Sequence, residues 1–193
     1  MAHRKSINER SVTVQIISCS QGSEEWLSIR AKYFTASEAP AMMGASKYTS
    51  RTELLHQKHT GIAPEVDAHK QALFDRGHAA EAAARIHVQA YIGEELSPVT
   101  GTLEVEGLPL LASFDGLNFE GDTAWESKLW NETLANNIRG DNIEPNYYWQ
   151  LEQQCILTTN PAIHCKATTY RACRQDSEKL LADTPNIDIV AEE

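Results

Sequence analysis

Between residues 99 and 128 the chain breaks into strand-length runs. They lie at 99–105, 110–113, 117–119 and 123–128, and Gly107, Asp115-Gly116 and Gly121-Asp122 punctuate them. Short runs separated by such turns predict an antiparallel meander. On its N-terminal side stand a short strand at 12–17 and a helix running from Glu24 to Arg30, capped by Ser23 with Glu24 and Glu25 in its first turn. A second helix opens at 35–38, limited by Pro40, and a third spans 52–58. Residues 59–70 read as a loop, and 70–92 as a long alanine-rich helix ended by Gly93. After the meander, 131–143 is Asn-rich and reads as one helical turn and a loop. Pro145 opens a helix to about 157, followed by a strand at 162–171 and a helix at 175–182. This order predicts an α/β fold with a mixed central sheet. All 193 residues make one domain, with 1–20 as an N-terminal extension and 185–193 as a frayed tail.

Composition narrows the classes. No stretch approaches the ~18–20 apolar residues that span a bilayer. The basic start, Met1 to Lys5, lacks a following apolar region, so secretion is not expected. Cys19, Cys155, Cys165 and Cys173 form neither a CxxC pair nor a zinc spacing and read as reduced thiols of a cytoplasmic protein. Seven histidines invite a zinc site, but His56 and His59 lack further ligands at a zinc spacing. The net charge of −10 counts against nucleic-acid binding. Its distribution softens the objection: residues 1–60 hold eight Lys/Arg against five Asp/Glu, whereas 102–152 hold two against ten. A metal pocket beside a basic rim has this asymmetry, and so does a merely soluble protein.

The acidic stretch contains the chemistry. Glu126 and Lys128 share one face of a strand by alternation, and Asp115, placed just before a turn, can reach that face. Two carboxylates suit Mg²⁺, which takes oxygen ligands and keeps several waters; the Ser127 carbonyl can supply a third oxygen. Such an ion makes bound water more acidic and stabilises charge on a phosphate, so the set fits phosphodiester cleavage. Lys128 would orient or deprotonate the water, its pKa lowered by the cation. The bland reading is a solvated Glu-x-Lys edge. Glu81 could face the same pocket, but on helix spacing alone it is better explained as an i,i+4 partner of Arg85. Arg30, Thr35 and Ser37 could clamp a phosphate together with helix N-terminal amides; their bland roles are a surface charge and a cap. Gln150 alone says little. No Gly-rich phosphate loop, Ser-His-Asp set or nucleophilic Cys motif is present.

Taken in order, five blocks resemble the lambda exonuclease and YqaJ-like viral recombinase family, the phage-type alkaline exonucleases of the PD-(D/E)XK superfamily. They are Trp26 to Arg30 with Phe34-Thr35-Ala36-Ser37-Glu38, Arg76-Gly77-His78-Ala79-Ala80-Glu81, Ser113-Phe114-Asp115-Gly116-Leu117, Glu126-Ser127-Lys128, and Tyr147-Tyr148-Trp149-Gln150-Leu151-Glu152. The resemblance covers about residues 21–171. It implies a restriction-endonuclease-like core, a mixed sheet flanked by helices. It makes Asp115, Glu126 and the Ser127 carbonyl ligands of Mg²⁺, for which Mn²⁺ can substitute. It has Lys128 activate water, Glu81 bind or position a metal, Arg30 and Ser37 hold a 5′-phosphate, and Gln150 support the site. It departs at Glu152, where the family often has a second Gln, and in the polar 131–143 region.

The activity implied is 5′→3′ exonuclease action on linear double-stranded DNA, releasing mononucleotides and leaving 3′ overhangs. The partners implied are duplex ends, a single-strand annealing protein and two further copies in a trimeric ring. The place implied is the cytoplasm of a bacterial host, with a phage or prophage origin. An endonuclease on the same core and an inactive DNA-binding module are the alternatives. An iron–sulfur relative would need clustered cysteines that the 155/165/173 spacing does not supply.

Overall fold

The computed structural model describes residues 14–19, 22–62, 67–140 and 142–158, and the backbone alone of 166–170 and 187–188. The expected helix at 175–182 lies outside the described residues, as do Cys165 and Cys173.

The meander forms, with one turn fewer than expected. Strands β3 (Ser97–Val105) and β4 (Leu108–Leu117) make a long antiparallel hairpin. Their two-residue turn, Glu106-Gly107, has φ of 51° and 82°, positive at both centres as a twist-matched hairpin requires. Strand β4 then runs unbroken through Asp115-Gly116, where the sequence pointed to a turn. A Cβ on Gly116 would lie 3.0 Å from Leu96 Cβ and 3.1 Å from Trp125 Cε3. Packing by two buried side chains, not a turn, requires this glycine. The real turn follows it: Asn118 Oδ1 accepts the amides of Asp122 and Thr123, both at 3.0 Å. It leads into β5 (Ala124–Leu129).

The sheet is mixed, as expected, and has seven strands among the described residues. Strand β1 (Gln15–Ile17) pairs antiparallel with β3, β5 pairs parallel with β6 (Lys166–Tyr170), and β6 pairs antiparallel with β7 (Ile187–Asp188). The last pairing replaces part of the expected frayed tail. On one edge of β4 lies β3. The other edge is shared. Strand β2 (Phe34–Thr35) runs parallel beside Leu110 and Leu111, while β5 pairs only with Gly116 and Leu117. Between them, at 112–115, no described strand takes up that edge of β4. This fork positions the site.

Helix α1 (Glu24–Lys32) begins as expected, the Trp26 amide donating to Ser23 Oγ at 3.1 Å. Thr35 both ends β2 and caps the turn that the sequence predicts at 35–38, its amide donating to Glu38 Oε2 at 3.0 Å. A 3₁₀ turn at Ala36–Glu38 then leads into α2 (Ala39–Met42), with Pro40 in its first turn. Helix α3 (Arg51–Thr60) starts from a reciprocal Ser50–Glu53 cap, and α4 (Ala68–Ile92) starts within the expected loop. The 131–143 segment contains a two-turn helix, α5 (Glu132–Arg139), capped by Asn131. Its buried Leu134, Ala135 and Ile138 form one apolar face, which the intervening Asn136 and Asn137 conceal in the sequence. Helix α6 (Pro145–Ile156) opens on its proline.

One core cluster joins Leu103, Leu110, Phe114, Leu117 and Leu157; a second joins Ala84 and Val88 of α4 to Leu96 and Trp125. Alternation along β5 therefore turns Trp125 toward α4 and Glu126 toward the opposite face. Among the described residues no helix is long and apolar enough to cross a membrane. Cys19 is a free thiol, but Cys155 is disulfide-bonded, so the expectation of reduced thiols fails there.

Candidate active site

Extending the Gly116–Trp125 pairing by one residue sets Asp115 opposite Glu126. Asp115, Glu126 and Lys128 thus share a face. The backbone ladder does not continue. Asp115 Oδ2 instead accepts the Ser127 amide at 2.6 Å, a side chain filling the place of a lost ladder bond. Glu126 is 7% exposed. Its Oε1 accepts from Lys128 Nζ and from Gln150 Nε2, the latter at 2.6 Å, and its Oε2 accepts from Gln154 Nε2 at 2.6 Å. Lys128 also donates to Gln150 Oε1 at 3.1 Å and sits 5.6 Å from the Tyr147 ring centroid.

The β2 side of the fork supplies the other half. Arg30 stacks 5.1 Å from the Trp26 ring centroid and donates to Ser37 Oγ at 3.2 Å. The Thr35 and Ser37 hydroxyls are 3.1 Å apart. Glu38 holds Arg30 at 3.5 Å and Lys58 at 2.9 Å. A cavity of about 90 Å³ is lined by Arg30, Thr35 and Ser37 and by Asp115, Glu126 and Gln150. Six residues singled out in the sequence, each from a different element and up to 120 positions apart, therefore border one space. Lys128 adjoins it through Glu126 and Gln150. Glu81 does not line it. Its carboxylate pairs with Arg85, whose Nε donates to the Asp115 carbonyl at 2.8 Å. Glu81 is thus the i,i+4 partner of Arg85 that helix spacing predicts, and it reaches the site only through the bond of Arg85 to the Asp115 carbonyl.

The charges are unbalanced. Burial pushes the Asp115 carboxyl up to about 8 from an ordinary 3.8, and the charges of Glu126 and Glu81 push the same way; the Ser127 amide and Lys128 oppose without cancelling. Burial also raises Glu81, against the pull of Arg85 and His78. For Lys128 burial acts downward, but the charge and hydrogen bond of Glu126, with Asp115, outweigh it and the pKa is raised. With these carboxylates as its neighbours, Lys128 is held as an ammonium.

Among the described residues no three His, Cys, Asp or Glu side chains gather closely enough to hold a metal ion. A hard cation would have Asp115 and Glu126 as its protein carboxylates. They fit one: both border the cavity, no described residue donates to Asp115 Oδ1, and burial and like charge leave Asp115 in need of a positive neighbour.

Residues 25–161 match the YqaJ-like viral recombinase domain. The chain belongs to that family. An alkaline exonuclease, LHK-Exo of Laribacter hongkongensis, is similar in structure: 29% identical, with a TM-score of 0.57 over 81% of this chain and 77% of that one. The same exonuclease in complex with dAMP is also 29% identical, with a TM-score of 0.56 and the same coverage. No curated protein matches the chain. Its mixed sheet flanked by helices is the PD-(D/E)XK-like core expected from the sequence.

Within this YqaJ-like domain, sequence reasoning overlooked three side chains. Gln154, 2% exposed, is bonded to Glu126, and Gln153 spans the fork by donating to the Phe34 and Leu111 carbonyls at 2.8 and 3.2 Å. Helix spacing explains Arg85 as a partner of Glu81, yet it also reaches β4. The available signal for Gln154 was its i,i+4 spacing from Gln150, which places both amides on one face of α6.

Proposed function

We propose that this YqaJ-like domain is a Mg²⁺-dependent 5′→3′ exonuclease on linear double-stranded DNA that releases mononucleotides and leaves 3′ overhangs. The observation that supports it most is the single cavity between phosphate-type donors and two carboxylates. The exonuclease relative adds support, as does that relative's complex with dAMP, a mononucleotide.

Asp115 and Glu126, with the Ser127 carbonyl, would hold Mg²⁺ or Mn²⁺, and Glu81 would adjust the field from behind through Arg85. The ion, when bound, makes a coordinated water more acidic and stabilises charge growing on the phosphate. The remaining work belongs to the chain. Arg30, Thr35 and Ser37 hold the 5′-phosphate of the strand being shortened, the guanidinium offering paired donors that lysine lacks. Lys128, kept as an ammonium by Glu126, orients the attacking water and meets negative charge at the scissile phosphate. Gln150 ties Lys128 to Glu126 so that the two move as one unit. The chain forms a homotrimeric ring, which reconciles its −10 charge with a basic bore. Its overhang is passed to a single-strand annealing protein in the cytoplasm of a bacterial host, in phage-type recombination.

Digestion of end-labelled linear duplex in Mg²⁺, beside a closed circle, tests this reading. Mononucleotides from 5′ ends with the circle intact are expected. Cutting of the circle would indicate an endonuclease on the same core. DNA binding without cleavage in Mg²⁺ or Mn²⁺ would indicate a binding module.

A further inference from the structure

The geometry points to Gln154 as a positioning residue that aims one oxygen of Glu126 at the cation. This inference rests on the reading of Glu126 as a metal ligand. A carboxylate offers about four lone-pair sites, two per oxygen. Lys128 and Gln150 both donate to Oε1 and occupy its two. Among the described residues only Gln154 donates to Oε2, at 2.6 Å. One lone pair of Oε2 is therefore the free acceptor on Glu126, and the Gln154 bond sets its direction.

Gln154 is held well enough to do this. Its side chain is buried, and its amide nitrogen also donates to the Ser113 carbonyl at 3.2 Å. That carbonyl belongs to the stretch of β4 facing the fork. One carboxamide thus links β4, α6 and β5, and both its hydrogens are committed. Gln150, one helical turn earlier, carries the donor for the other oxygen, so a single helix fixes the carboxylate plane. Gln154 does not line the cavity and acts only through Glu126. A residue that orients a ligating carboxylate in this way is worth about 10–100-fold in metal affinity.

The competing account is that Gln154 merely fills the fork. Gln153 provides the comparison. It also bridges two strands from α6, but through the backbone carbonyls of Phe34 and Leu111, without touching a carboxylate. Calorimetric titration of Mn²⁺ into the full chain and into Gln154→Leu and Gln153→Leu separates the two accounts. Gln154→Leu should weaken Mn²⁺ about 10–100-fold, while Gln153→Leu lowers the melting temperature with Mn²⁺ affinity unchanged. Equal Mn²⁺ affinity in Gln154→Leu and the unmutated chain overturns the inference and leaves the metal reading standing. No Mn²⁺ binding by the unmutated chain overturns the metal reading itself. A second measurement uses the unmutated protein and so does not depend on the folding of Gln154→Leu. Mg²⁺ should shift the side-chain amide NMR signals of Gln154 and Gln150 and leave that of Gln153 in place. An unmoved Gln154 signal at saturating Mg²⁺ also overturns the inference.

Discussion

Replacing Asp115 by Asn should make the metal-free protein more stable at alkaline pH. The folded carboxyl titrates at about 8, against an ordinary 3.8. Across that interval the folded state keeps a proton that the unfolded chain releases. Stability contributed by that proton is complete below the unfolded pKa and is lost as pH rises toward 8. Each unit is worth at most about 1.4 kcal/mol. Relaxation and entering water reduce the full span, leaving a loss of about 2–3 kcal/mol at pH 9. Asn carries no charge there and can still accept the Ser127 amide. The assay is thermal unfolding in EDTA at pH 4 and pH 9. Asp115→Asn should melt with the unmutated protein at pH 4 and about 4–10 °C above it at pH 9. Mn²⁺ at pH 9 should then raise the melting temperature of the unmutated protein and leave the variant where it was. A variant no more stable than the unmutated protein at pH 9 in EDTA would refute the argument that burial, Glu126 and Glu81 make the Asp115 charge costly.

Gly116→Ala should cost about 1–3 kcal/mol, since its Cβ meets Leu96 and Trp125 and neither can retreat from the core, and a melt that is unchanged would contradict this. Arg30→Ala should reduce the preference for 5′-phosphorylated ends while leaving Mn²⁺ affinity unchanged; equal digestion of phosphorylated and unphosphorylated ends by the unmutated protein would remove the role given to Arg30. Lys128→Ala should abolish cleavage with the circular-dichroism spectrum preserved, because the ammonium contributes to the reaction and not to the core; persisting cleavage would reassign the step.

Much of the site was legible because its residues signal locally. The Glu126-Ser127-Lys128 alternation, the Ser23 cap that starts the helix bearing Arg30, and Pro145 at the start of α6 each depend on neighbours in sequence. What was hidden depends on partners far away. Asp115-Gly116 has the composition of a turn, yet Gly116 is selected by Trp125 across the ladder and by Leu96. The fork in β4 exists because β2, some 75 positions earlier, pairs beside it, and a two-residue strand has no periodicity to detect. Gln154 and Arg85 are ordinary helix residues until α6 and α4 are set against β4 and β5. The direction of the Lys128 shift likewise depends on which charges lie nearest, and Glu126 and Asp115 are brought beside it only by the fold.

In the proposed function the fork of β4 holds a catalytic divalent ion between Asp115 and Glu126. A crystal structure grown with Mn²⁺ and measured at its absorption edge tests it most directly. An anomalous peak in the cavity, touching Asp115 Oδ1 and Glu126 Oε2, is the predicted result. An empty cavity at saturating Mn²⁺, or a peak held elsewhere without these two carboxylates, would contradict it.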